Sequence, residues 1–121
     1  MSALDKTVAE LEAKRAKDDA ERQARQQAAG AFLKEFFDAD LSSSKSLKDH
    51  GVQEAFDGKR ILLTKPEEGV YAEGMMIVVG EQGEIDVSGR SLGILGQDAD
   101  QSDRDARKKE LIAEIISHFS L

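Results

Sequence analysis

His50 and His118 are the only histidines in a chain without cysteine, so nucleophilic, acid–base and metal chemistry is sought there first. Neither has a second histidine at the HxxxH spacing that brings two ligands onto one helix face. His118 stands beside Phe119 in the last turn of a predicted helix, where an imidazolium suits the helix dipole. His50 precedes Gly51, in a position that reads as a helix end. Both are surface or capping residues on this reading. The run from Asp98 through Asp100 and Ser102 to Asp103 sets oxygens at alternate positions, as the opening of a calcium loop does. That pattern needs glycine at its sixth position and glutamate at its twelfth, but Asp103 and Lys109 stand there. A simpler role remains for these acids, namely negative charge at a helix N-terminus. The glycine-rich run Gly89–Gly96 has neither the Lys-Ser/Thr ending of a phosphate loop nor GxGxxG spacing. Glu73, Glu84 and Asp86 read as neighbours across strands, and two close carboxylates can serve as acid and base. No flanking aromatics shape a pocket around them, so they read as a solvated sheet face. Catalytic, cofactor-binding and metal-ligating residues are therefore assigned to none.

The elements that would carry these residues follow from spacing. Residues 3–29 are rich in Ala, Glu, Lys, Arg and Gln, lack Gly and Pro, and predict a helix. Oppositely charged residues at i, i+4, such as Glu10–Lys14, Asp18–Arg22 and Glu21–Arg25, reinforce it. After Gly30, the residues Phe32, Leu33, Phe36, Phe37 and Leu41 predict an amphipathic segment, either continuous with that helix or bent at the glycine. Ser44 or Ser46 can cap a short helical turn ending near Gly51. Asp57-Gly58 between two apolar runs is a strong hairpin signal. A second turn at 65–69, a strand at 70–79, a turn at 80–83 and a strand at 84–88 complete a three- or four-stranded antiparallel meander. Residues 89–96 read as a further short strand or a loop. Ser102 with Asp105 approximates a capping box for a last helix, whose face carries Leu111, Ile112, Ile115, Ile116 and Phe119. The fold class is α+β: a long N-terminal helix, the meander, and a C-terminal amphipathic helix packed on one sheet face.

Residues 12–28 contain no apolar side chain larger than alanine. Such a helix has no core of its own, so the domain reading is a charged helical arm, 1–29, on a small body, 30–121. Leu4, Val8 and Leu11 share one face near the arm's tip, while alanines from Ala9 to Ala31 recur on another. Extending the heptad from Leu4 and Val8 puts Arg15, Asp18, Arg22 and Arg25 in the seam, which excludes a sustained leucine-type coiled coil.

The net charge is −7, and residues 60–101 contribute −5 of it, with eight acids against Arg60, Lys65 and Arg90. An acidic sheet repels phosphate backbones, so nucleic acid is not an expected partner. The helix–strands–helix order is similar to that of the double-stranded-RNA-binding fold. That module needs bases where its last helix begins, and here Asp103 and Asp105 stand there. The N-terminal residues lack the apolar stretch of a secretory signal, and no apolar run approaches the roughly 18 residues that span a bilayer. No membrane association is expected, and the expected compartment is the cytoplasm.

These features define an expectation of a non-enzymatic protein–protein interaction module, a small acidic adaptor, inhibitor or chaperone-like protein. Its interaction surface would comprise Leu4, Val8, Leu11, Glu73, Glu84 and Asp86. The partner is another protein or a second copy, with a dimer favoured because a body of about 90 residues gains stability from extra burial. The alternative is a small ligand-binding protein or enzyme with a site between helices and sheet, using Arg90, Glu73 and Tyr71. An enclosed cavity of at least about 300 Å³ with convergent polar groups would favour that alternative.

Overall fold

A computed structural model describes residues 2–66, 73–96 and 98–121, with Glu73 described in its backbone alone. The expected turn at 65–69 and the start of the strand at Val70 lie mostly outside these residues, as does Tyr71. Helix α1 spans Ala3–Phe36 in one piece, capped by Ser2, whose hydroxyl accepts from the Asp5 N–H at 3.1 Å. The helix runs through Gly30 without a break. The missing side chain there faces the carbonyl oxygen of Gly58, which would lie 3.5 Å from a Cβ. The glycine therefore serves close packing against the first hairpin.

Phe36 is followed by a π-helical turn, Phe37–Leu41, closed by the Ser42 N–H donating to the Phe37 carbonyl at 2.8 Å. The wider turn rotates Leu41 back toward the core side, where it is buried. Ser44 then caps the short helix α2, Lys45–Asp49, and Gly51 takes a positive φ just beyond its end.

Among the described residues five strands follow in one antiparallel meander in the order β1-β2-β3-β4-β5: β1 Gln53–Phe56, β2 Arg60–Lys65, β3 Glu73–Val79, β4 Glu84–Val87 and β5 Arg90–Ile94. The strand count exceeds the expected three or four because residues 90–94 pair with β4. Ser88 and Gly89 both have positive φ between the paired residues Val87 and Arg90, the two-residue hairpin geometry that matches sheet twist. Gly93, also at positive φ, accompanies a shift of register between Glu84 and Asp86, so β5 is bulged. At the first hairpin the Asp57 carboxylate accepts from the Lys59 and Arg60 N–H groups and pairs with the Arg60 guanidinium. These bonds, the one from Lys59 foremost, hold its carboxyl below the usual value of 3.8.

Strand alternation sends Ile61, Leu63, Met75, Ile77, Ile85 and Val87 to one face, where all are buried. Ala29, Phe32, Leu33 and Phe36 of α1 cover that face together with Leu111, Ile115 and Phe119 of helix α3, Gln101–Phe119. The expected five-residue face of α3 divides: Ile112 and Ile116 stay exposed, because only the i, i+4 row reaches the sheet. Its cap also differs from expectation. Asp100, not Ser102, is the N-cap, accepting from the Asp103 N–H at 2.8 Å, while the Asp103 carboxylate accepts from the Asp100 N–H at 3.4 Å. Aspartate caps as well as serine does, and Asp100 has the acid three residues on that a reciprocal box needs. Polar ties then fix α3: Arg90 pairs with Glu114, Arg107 Nη1 donates to the Gly93 carbonyl at 2.9 Å, and Lys108 lies between Glu35 and Asp40.

Candidate interaction surface

At about 1.5 Å per residue, the 34 residues of α1 span roughly 51 Å, more than the body needs to cover its sheet. Every residue from 2 to 21 is exposed. On this projecting stretch Leu4 is 72% exposed, Val8 42% and Leu11 47%, which keeps their shared stripe in water. The Arg22 guanidinium pairs with Asp19 at 2.7 Å, an i, i+3 contact on the arm's own surface. Such exposed pairs contribute little to stability.

Contact with the body begins just beyond. Arg25 Nε donates to the Gln82 carbonyl at 3.0 Å, and Gln26 Nε2 donates to the Glu81 carbonyl at 2.6 Å. Both acceptors lie in the β3–β4 turn. Gly83 of that turn, at φ +82°, is buried so closely under the helix that a Cβ would lie 2.6 Å from Arg25 Cβ and 2.8 Å from the Arg25 carbonyl carbon. The turn therefore clamps the arm's base, and the arm extends as a continuation of a helix anchored in the core.

Beside this base a groove of about 680 Å³ runs along α1. Gln27, Gly30 and Lys34 line it from the helix, Phe56 and Val79 from the sheet, and Lys59 from the β1–β2 turn. Phe56 is held there by stacking on Phe37, ring centres 5.6 Å apart. A second, smaller hollow of about 320 Å³ lies between α2 and α3, with Leu47, Ile112 and Ile116 among its walls. On the open face of the sheet, Leu62 and Met76 stand opposite each other and remain exposed, as does Ile94.

The acidic positions on the sheet do not converge. Glu84 and Asp86 lie on β4, and the Glu84 carboxylate accepts from the Gln82 N–H at 2.9 Å. Glu73 pairs with Lys65 at the far end of β3, away from Val78, the residue opposite Asp86. Leu4, Val8 and Leu11 do come together, on the arm. His50 Nδ1 lies 2.8 Å from the Ser46 carbonyl, a bond within its own turn, and the His118 ring meets Phe119 edge-on. Among the described residues no group of three His, Asp or Glu side chains is placed to hold a metal ion. The layer between helices and sheet is filled by the aliphatic and phenylalanine core, and no described polar or charged residue is buried. Among the described residues, no helix is long and apolar enough to cross a membrane.

The groove and the Gly83 clamp go beyond what the sequence signals. The groove assembles residues from α1, the first hairpin and the end of β3, which no local pattern links. For the clamp, the Gly80-Glu81-Gln82-Gly83 run signals a turn, but its contact with Arg25 is purely tertiary. No protein-family model, curated protein or solved structure matches this chain.

Proposed function

We propose that this protein is a non-enzymatic protein–protein interaction module in which the N-terminal arm engages a protein surface. The carrying observation is the exposed Leu4–Val8–Leu11 stripe, held clear of its own body by a clamped, unbroken helix. Amphipathic helices dock into apolar grooves through anchors at i, i+4 and i+7, and these three residues have that spacing. The filled core supports this reading over a ligand site between helices and sheet. The cavities described above are surface grooves, and the Arg90 guanidinium is engaged with Glu114.

Affinity capture from the native extract tests it, using the full chain and a Leu4→Glu, Val8→Glu, Leu11→Glu variant. All three positions are exposed, so the variant is expected to melt within about 1 °C of the parent. The expected result is a protein, foreign or a second copy, retained by the parent and lost by the variant. Identical retention by both chains would remove the arm from the interaction.

A further inference from the structure

We infer that the groove beside α1 receives the arm tip of a second copy, so that two chains pair antiparallel and each fills the other's groove. This rests on the arm being an interaction element and names its partner. Three observations carry it. The first is charge. Residues 3–12 hold Asp5, Glu10 and Glu12 against Lys6, a net of −2. The groove's lining holds Lys34 and Lys59 against Glu81; Lys34 also meets Asp38 at 3.0 Å on the exposed side. Antiparallel pairing sets the acidic tip beside these cations, whereas parallel pairing sets two tips of net −2 together.

The second is the helix itself. Val8 and Gly30 lie on one uninterrupted helix, about 33 Å apart at 1.5 Å per residue. Because tip and groove belong to the same rod, turning a second rod end for end brings both tips to both grooves at once. This is the closed, self-complementary arrangement that two-fold dimers use.

The third is shape. On the helix side the groove has Ala31, exposed and carrying only a methyl group, which permits close approach of a second helix. Phe56 and Val79 offer apolar surface opposite it for Leu4, Val8 and Leu11. The helical spacing places Asp5 and Glu12 along one border of that stripe, within reach of a cationic rim.

The chain has no cysteine, so engineered thiols report the pairing cleanly. Chains carrying Val8→Cys and Ala31→Cys are mixed under mild oxidation. The two positions are about 35 Å apart within one chain, so a cross-link between them must join two copies. The expected result is a Val8-to-Ala31 cross-link at least about tenfold faster than Val8-to-Val8, and slowed about tenfold by Asp5→Lys with Glu12→Lys. Cross-linking to Ala31 no faster than to an exposed control, Ser102→Cys, would overturn the inference. A dominant Val8-to-Val8 product, or indifference to the charge reversals, would overturn it equally. If capture of a foreign protein still depends on the arm in that event, the interaction reading stands and only the second copy is excluded.

Discussion

Truncating Phe36 to alanine is expected to cost about 3–5 kcal/mol, and Ile115→Ala about 2–5 kcal/mol, measured by chemical or thermal unfolding. Phe36 is fully buried and Ile115 is 3% exposed. They project from α1 and α3 into one continuous core that also holds the inner residues of the sheet. Removing either leaves a void that the flanking Phe32, Leu33 and Leu111 cannot fill without breaking their own packing. For a domain of this size the loss corresponds to a fall of about 10 °C or more in Tm. Ile116 provides the internal control. It is one residue further along α3 but 46% exposed, so Ile116→Ala is expected to cost under about 1 kcal/mol. If Phe36→Ala and Ile115→Ala melt within a degree of the parent, the core is wrongly assigned.

Gly83→Ala is the second large effect. Any side chain at φ +82° carries a left-handed backbone cost of about 1–2 kcal/mol. The new methyl also meets the Cβ and backbone of Arg25 at under 3 Å, and neither is the far end of a flexible chain. Relieving that contact moves the β3–β4 turn or the helix, which adds about 1–3 kcal/mol as overpacking does elsewhere. Gly89→Ala separates the two contributions, because Gly89 has φ +88° but nothing within 4 Å of where its methyl would sit. The difference between the two variants, read from unfolding curves, is the steric contribution of the clamp. Equal losses would mean that the turn does not grip α1.

Much of the architecture is legible from local chemistry. Asp57-Gly58 announces the first hairpin because both residues suit a tight turn, and Asp57 uses its carboxylate on that turn's own N–H groups. Phe32, Leu33 and Phe36 announce the buried half of α1 through their spacing. The fifth strand is obscured by Gly93 and Gly96, which dilute strand propensity, although Ser88-Gly89 supplies the hairpin turn that leads into it. Ser102 draws the expected α3 cap two residues late, because Asp100 is an equally good acceptor. At the candidate surface, the apolar stripe of the arm is visible because it is local to one helix. Glu73 groups with Glu84 and Asp86 on sequence alone because sequence does not fix register, and the pairing of β3 with β4 separates them. The groove is invisible for the same reason: Gly30, Phe56 and Val79 meet only through packing.

Amide hydrogen exchange along α1, followed as protein concentration rises and again with any captured partner present, tests the role of the arm most directly. In dilute solution the amides of residues 3–21 are expected to exchange as those of a solvated helix, faster than residues 29–36, which the core holds. On association, protection should rise in 3–21, centred on Leu4, Val8 and Leu11, and stay constant in 29–36. Arm amides that exchange at coil rates at every concentration, and remain so with the partner present, would contradict the assignment of this helix as the interacting element.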